Sequence, residues 1–210
     1  MRVLPILFNT EMVRAILDGR KTYTRRSVSS RQFLGMLPDK CKNAAPDEFL
    51  KGKRMMFKPY CDMTDAELIM TAYKEPYQPG DILYVRETWK KAPNGYYYYE
   101  DWQRNDIADV TKWKPSIYMP KEAARIWLKV TDVRVERLQD ITIDEIRKEG
   151  LEPRFNVKDK FSDGIARGRF LELWNSTIKK SDLDRYGWSA NPYVFVIEFE
   201  RCEKPEDNQN

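Results

Sequence analysis

Histidine is absent from the whole chain of 210 residues. Without an imidazole, the protein cannot use a Ser-His or Cys-His nucleophile pair, a histidine general base or a histidine-ligated metal. Any acid–base chemistry must therefore come from Lys, Glu, Asp, Tyr or Cys side chains. We expect no cofactor and no metal site.

Cysteines and long apolar stretches are also scarce. Cys41, Cys61 and Cys202 are unevenly spaced and form no Cys-x-x-Cys pair, which argues against a disulfide framework and a zinc site. No run approaches the ~20 apolar residues of a membrane span. The apolar start of the chain, residues 2–8, is too short for a secretory signal and is predicted to be a strand. We therefore expect a cytoplasmic protein with no membrane partner.

Positive charge is concentrated in one part of the chain. The net charge is +4, yet residues 14–58 hold twelve Lys and Arg against four Asp and Glu, a local excess of +8. Such an excess favours a polyanionic partner, and nucleic acid is the commonest one. The alternative is a solvated loop whose lysines only aid solubility.

The most informative stretch is residues 19–26, which directly follow a predicted helix over residues 10–18. Gly19 is the residue type that ends a helix in the left-handed conformation. If the chain turns after it, the side chains of Lys21 and Thr24 point the same way. Cations and hydroxyls gathered at a helix end predict a site for an anionic or polar ligand. A solvated basic turn is the alternative.

A strand is predicted over residues 82–89, after the turn signal Gly80-Asp81. Arg86 and Glu87 are adjacent, so their side chains lie on opposite faces of this strand. Glu87 shares parity with the apolar residues of the strand, which favours a polar group inside a pocket. A surface ion pair with another strand is the alternative.

Two aromatic segments follow this strand. Asn94-Gly95 is a strong hairpin signal and leads into four consecutive tyrosines, residues 96–99, which can stack on bases or pack the sheet. Residues 113–120 form a proline-bracketed loop that carries Trp113 and Tyr118. Rigid loops of this kind often line binding sites, so we predict a pocket wall, with ordinary loop packing as the alternative.

Two predicted strands in the C-terminal half of the chain have patterns that indicate a curved sheet. The apolar alternation over residues 126–135 changes parity at Thr131-Asp132, which predicts a β-bulge or a sharp bend, as at the corner of a small barrel. Residues 193–201 are apolar on both faces at first and are predicted to close the barrel against the N-terminal strand.

A carboxylate stands out in the helix between these strands. Thr142 and Glu145 form a capping box, and the helix ends at Gly150. Glu149 thus lies in the last turn, where the helix dipole disfavours a negative charge. That placement makes Glu149 a candidate for proton transfer.

The chain resembles the ASCH-domain family of the PUA-like superfamily, and most of all the longer ASCH proteins of phages and prophages. The resemblance implies an α+β fold: a small mixed β-barrel of PUA-like (ASCH) type, with short flanking helices and a long insertion at about residues 27–79. It implies a single domain over residues 1–203, followed by a disordered tail over residues 204–210. The residues that carry it are Gly19, Lys21, Thr22, Thr24, Arg26, Gly80, Asp81, Arg86, Glu87, Glu149, Gly150 and the strand 191–199.

One branch of that family, the N4-acetylcytidine amidohydrolases, shares the first motif and is proposed to remove an acetyl group with a Lys, a Thr and a Glu. The resemblance carries those catalytic roles to Lys21, Thr24 and Glu149. It implies a hydrolase acting on a modified base, with RNA, single-stranded nucleic acid or a nucleoside as partner. A non-catalytic RNA or DNA reader and a ribonuclease are the alternatives. The candidate substrate-binding residues are Arg25, Arg26, Arg86, Glu87, Trp113 and Tyr118.

Overall fold

The computed structural model of the chain describes residues 1–29, 64–104, 112–151 and 160–206. In these ranges the strands are β1 (Val3–Leu7), β2 (Tyr23–Ser27), β3 (Ile82–Arg86), β4 (Trp89–Ala92), β5 (Gly95–Tyr98), β6 (Trp127–Arg137) and β7 (Tyr193–Cys202). The α-helices are α1 (Thr10–Leu17), α2 (Asp65–Ala72), α3 (Tyr99–Arg104), α4 (Ile143–Lys148), α5 (Lys160–Thr177) and α6 (Leu183–Tyr186). The described chain is therefore a mixed α+β structure. None of its helices has the length and apolar character needed to cross a membrane.

Five strands form the main sheet, in the order β1-β3-β6-β7-β2. β1 pairs in parallel with β3, and the other neighbours pair antiparallel. The predicted pairing of the C-terminal strand with the N-terminal strand is wrong, because β7 lies between β6 and β2. β7 is apolar on both faces because it is an interior strand of a sheet that is covered on both sides.

Several local signals in the sequence have the structure they predict. Gly19 has φ +73° directly after α1, and its left-handed conformation turns the chain toward β2. The register between β6 and β7 shifts between Val130 and Asp132, where the change of parity predicts a bulge. Thr142 and Glu145 form the capping box of α4 through reciprocal hydrogen bonds.

The two faces of β7 pack into two separate apolar cores. Phe195, Ile197 and Phe199 belong to a cluster with β1, β3 and α1, whereas Val194 and Val196 pack with α4 and α5. β2 lies beside β7 and follows the same alternation, with Thr24 opposite Ile197 and Arg25 opposite Val196. Thr24 and Arg26 thus share the first face of the sheet, and Tyr23 and Arg25 share the second.

β1 and β2 are the two edges of the main sheet, and no backbone ladder joins them in the described chain. We call the gap between these edges the seam. The Arg26 side chain spans the seam, donating from Nη2 to the carbonyl oxygen of Leu7 at 3.2 Å. The sheet is therefore curved enough to bring its edges within the reach of one side chain, although its hydrogen-bonded ladder stays open.

The remaining strands form a hairpin that is shorter than the sequence predicts. The predicted strand over residues 82–89 is divided into β3 and β4, and β4 pairs with β5 across the turn at Pro93-Asn94. The last of the four tyrosines begins α3 rather than extending β5. Most of the predicted insertion, residues 30–63, lies outside the described residues, as do residues 207–210 of the predicted tail. The described part of that insertion contains α2.

Candidate functional site

Lys21 and Glu149, to which the resemblance carries catalytic roles, are in direct contact. Lys21 Nζ lies 2.7 Å from Glu149 Oε2 and also donates to the Glu149 carbonyl at 3.0 Å and to the Tyr23 carbonyl at 2.7 Å. The Lys21 side chain is 0% exposed. An ammonium group has three N–H donors, so these contacts use all of them.

Local geometry at the end of α4 brings these two residues together. The Thr22 amide donates to the Lys148 carbonyl at 2.8 Å, which holds the start of β2 against the end of this helix. Gly150 follows with φ +90°, and a Cβ atom placed there would lie 2.6 Å from Ala15 Cβ and 3.0 Å from Lys21 Cβ. Only glycine permits both this conformation and this close approach to α1.

The buried carboxylate of Glu149 is neutralised from two sides. Arg25 Nη1 lies 3.1 Å from Glu149 Oε1, while Lys21 contacts the other carboxylate oxygen. A negative charge at a helix C-terminus is unfavourable, and these two cations offset that cost. The unusual placement of Glu149 is therefore compensated by residues of the 19–26 stretch.

Further ion pairs extend this arrangement along β6 and α4. Arg25 Nη2 lies 3.2 Å from Glu145 and 3.4 Å from Glu136, and Arg134 lies 2.6 Å from both of those carboxylates. We call these residues the paired cluster: Lys21, Arg25, Arg134, Glu136, Glu145 and Glu149. Its three cations face three carboxylates, so it presents little net charge.

Burial sets the protonation preference of Lys21. Removal from water lowers the pKa of Lys21, although the nearby Glu149 carboxylate acts in the opposite direction. A lysine in this state is closer to giving up its proton than a solvated one. This property suits a general base, and it equally accompanies a buried structural ion pair.

Thr24 lies on the face of β2 opposite to that of Arg25 and is 1% exposed. Its Oγ1 accepts a hydrogen bond from Arg26 Nη1 at 3.2 Å. The Phe8 ring lies between the two cations of this region, with its centroid 5.5 Å from Lys21 Nζ and 5.6 Å from Arg26 Cζ. The Thr24 hydroxyl is thus held under Arg26.

Two clefts flank this group. The seam cleft, of about 420 Å³, is lined by Arg25, Arg26, Ser27 and Tyr77 together with residues of β1, α1 and the end of α5. A second cleft, of about 240 Å³, lies between α1 and α5 and is lined by Glu149 and Gly150. Lys21 and Thr24 are buried and line neither of these two clefts, whereas Glu149 lines the second.

Arg86 lies next to the seam. Arg86 is the partner of Leu7 in the parallel β1–β3 ladder. Its Nε donates to the Met119 carbonyl at 2.7 Å. The neighbouring Tyr118 is 71% exposed, and Ile117 is 58% exposed. Tyr118 and Ile117 are therefore surface residues, and the hydrogen bond from Arg86 to Met119 ties their loop to the end of β3.

Glu87 and Trp113 lie elsewhere. Glu87 is buried, as its parity predicts, but both of its carboxylate oxygens accept from Arg125 at 2.9 Å. Burial raises the pKa of Glu87, and Arg125 opposes this effect. Trp113 packs edge-on against Tyr99, with ring centroids 5.3 Å apart. The contacts of both residues are internal to the hairpin region, so the structure supports a packing role for each.

Sequence reasoning missed the partners of these groups. Arg125 and Tyr77 carry no local pattern that marks them, and they reach Glu87 and the seam through the fold alone. Within the described ranges, no group of three or more His, Cys, Asp or Glu side chains is arranged to hold a metal ion.

Comparison with known proteins gives one match. No protein-family profile matches the chain, and no curated protein matches it. Among solved structures, the high-resolution crystal structure of an ASCH domain from Lactobacillus crispatus JV V101 matches with 10% sequence identity and a TM-score of 0.37. The match covers 95% of this chain and 79% of that one. The solved protein carries the family name that the sequence motif suggests, but a TM-score this low does not by itself establish a shared fold.

Proposed function

We propose that this chain binds nucleic acid or a nucleoside in the seam cleft and hydrolyses an acyl group from the bound base. The observation that carries the proposal is the contact between the buried Lys21 amine and the Glu149 carboxylate. The buried Thr24 hydroxyl bonds to Arg26, which lines the seam cleft. The volume of that cleft, about 420 Å³, falls in the range of small-molecule sites, ~300–1,000 Å³. The resemblance of the motif to the N4-acetylcytidine amidohydrolases supports the same reaction.

The fold that we propose for this site is a PUA-like barrel whose ladder is open at the seam. The bulge in β6 and the Arg26–Leu7 contact across the sheet edges support this interpretation. In this proposal the ligand enters at the open side, between β1 and β2. We further propose a single domain over residues 1–203, with the insertion entering after β2.

In the proposed reaction, the Thr24 hydroxyl attacks the acyl carbon and passes its proton to the neutral amine of Lys21. Transfer of one proton from Lys21 to Glu149 across their 2.7 Å contact would produce that neutral amine without changing the total charge. The bond between the acyl carbon and the base nitrogen then breaks, and the amine leaves with the proton held by Lys21. Water hydrolyses the resulting threonyl ester and releases the acid.

Arg26 has two roles in this proposal. Its Nη1 lies 3.2 Å from Thr24 Oγ1, where it can stabilise the negative charge that develops on the acyl oxygen. The same contact covers Thr24, which is 1% exposed. Arg26 must therefore shift from Thr24 when the substrate enters.

A reader without catalytic activity is the second candidate, and one observation favours it. All three donors of Lys21 are used by protein oxygens, and the side chain is 0% exposed, as expected for a structural clamp between β2 and α4. In a reader, the Thr24 hydroxyl can be lost without consequence for ligand binding.

The two candidates differ in their response to paired substitutions at Thr24. Purified protein is incubated with N4-acetylcytidine, free and within an oligonucleotide, and cytidine release is followed by mass spectrometry. In a hydrolase, Thr24→Val removes the nucleophile without changing volume and lowers turnover by more than about 100-fold, whereas Thr24→Ser keeps the hydroxyl and much of the rate.

Full turnover in Thr24→Val would show that Thr24 is not the nucleophile. A wild-type protein that binds these ligands but releases no cytidine would establish the reader instead.

A further inference from the structure

We infer that the substrate is a single strand of nucleic acid rather than a free nucleoside, and that the nucleotides next to the bound base lie along a surface ridge from the seam to Tyr118. This inference rests on the proposed function, because it assumes that a base occupies the seam cleft. We call the residues of this surface the seam ridge: Leu7, Arg26, Arg86, Ile117 and Tyr118.

Direct contacts make the seam ridge continuous. Arg26, which lines the seam cleft, donates to the Leu7 carbonyl at 3.2 Å. Leu7 is paired with Arg86 in the β1–β3 ladder, and Arg86 Nε donates to the carbonyl of Met119, the residue after Tyr118. A nucleic-acid chain that leaves the cleft past Arg26 crosses the end of β1 at the exposed Leu7. It then reaches Arg86, on the other face of the sheet, and Tyr118.

The charge of the ridge suits phosphates. Arg26 and Arg86 make their hydrogen bonds to neutral oxygens, and neither has a carboxylate partner in the part of the chain that the structure describes. Arg25, by contrast, lies within 3.4 Å of three carboxylates. Both arginines are half-buried, and burial lowers the pKa of Arg26, with Glu149 opposing this effect. A half-buried guanidinium group without a carboxylate partner gains charge-assisted hydrogen bonds when a phosphate binds.

The loop that carries Tyr118 is held in place by hydrogen bonds, while the Tyr118 ring stays exposed to solvent. Met119 and Ala123 are buried, and their carbonyls accept from Arg86 and from Tyr98 Oη, both at 2.7 Å. The exposed Tyr118 ring is thereby presented on a fixed loop, so little conformational freedom is lost when a base stacks on it. Base faces are open to such stacking in unpaired strands, which is why the ridge selects single strands.

The test compares a chain of nucleotides with one nucleotide. Fluorescence anisotropy is measured with labelled 12-nucleotide RNA and DNA single strands, and cytidine monophosphate serves as the competitor. Tyr118→Ala is expected to weaken 12-mer binding by between about 5-fold and 150-fold, the equivalent of one stacked base, and to leave competition by the mononucleotide unchanged. Tyr118→Phe should recover most of that loss, because it keeps the ring.

Ile165→Ala serves as the matched control, since Ile165 is also an exposed apolar residue but lies on α5. The inference is overturned if Tyr118→Ala binds the 12-mers as tightly as Ile165→Ala does, or if the wild-type protein binds the mononucleotide as tightly as the 12-mers. If the wild-type protein binds none of these probes, the proposed function fails together with the inference.

Discussion

Arg25 and Arg26 are adjacent in the sequence but belong to two regions with opposite character. Arg25 points into the paired cluster, where three carboxylates lie within 3.4 Å of its guanidinium group. Arg26 points to the other face of β2 and bonds to neutral oxygens at the seam. Alternation along a strand thus assigns one arginine to internal structure and the next to the surface that we propose for binding.

This comparison changes the meaning of the positive excess in the sequence. Of the cations between residues 14 and 29, Arg14, Arg20, Lys21 and Arg25 each have a carboxylate partner. The other cations of the +8 excess, those between residues 31 and 58, lie outside the described residues. Counting charges over residues 14–29 therefore overstates the field that this described part of the stretch presents to a polyanion.

Breaking the paired cluster should have the largest effect on stability. Lys21→Met removes a cation from the buried Glu149 carboxylate, and loss of one partner of a buried pair typically costs about 3–5 kcal/mol. Urea denaturation measures this change in the free energy of unfolding. Arg147→Met is the matched control, because Arg147 and Asp144 form an exposed ion pair that is worth less than about 1 kcal/mol.

Equal destabilisation by Lys21→Met and Arg147→Met would contradict the distinction between a buried structural cluster and ordinary surface pairs. The two variants remove the same kind of charge, so a difference between them reports on burial.

The close approach that builds the paired cluster can be tested at Gly150. Gly150→Ala places a Cβ atom 2.6 Å from Ala15 Cβ in a backbone conformation with φ +90°, which should destabilise the protein by about 1–3 kcal/mol. Gly164→Ala, in α5, has open space around its added Cβ atom and should stabilise the helix by about 0.5–1 kcal/mol. Thermal unfolding of the two variants measures both changes.

The two substitutions should therefore change the free energy of unfolding in opposite directions. A Gly150→Ala protein as stable as Gly164→Ala would show that the end of α4 does not require glycine and that the packing of Lys21 against α1 is looser than described.

Local patterns account for the parts of this structure that the sequence predicted. Gly19, the capping box at Thr142 and the bulge after Val130 each depend on neighbours a few residues away. Non-local pairing was not predictable in the same way. The place of β7 between β6 and β2, and the Arg125 partner of Glu87, depend on which distant segments meet in the fold.

The candidate site shows the same division. The resemblance assigned catalytic roles to Lys21 and Glu149, which are in contact, and parity identified Glu87 as an inward residue. Neither pattern could indicate that the Lys21 side chain is completely buried or that both carboxylate oxygens of Glu87 bond to Arg125. Burial and ion pairing both depend on side chains from several elements. The proposed roles of Arg26, Arg86 and Tyr118 follow from the seam, which becomes visible only in three dimensions.

The salt dependence of single-strand binding tests the central claim, that the seam and its ridge bind nucleic acid, most directly. Each phosphate neutralised in a single strand contributes about 0.7 to the slope of log affinity against log salt concentration. The double variant Arg26→Ala/Arg86→Ala should therefore reduce the magnitude of that slope by about 1.4 relative to wild type. The control, Lys129→Ala/Lys204→Ala, removes two exposed lysines that line neither cleft and should leave the slope unchanged. If both double variants keep the wild-type slope, the seam does not contact phosphates and the claim is wrong.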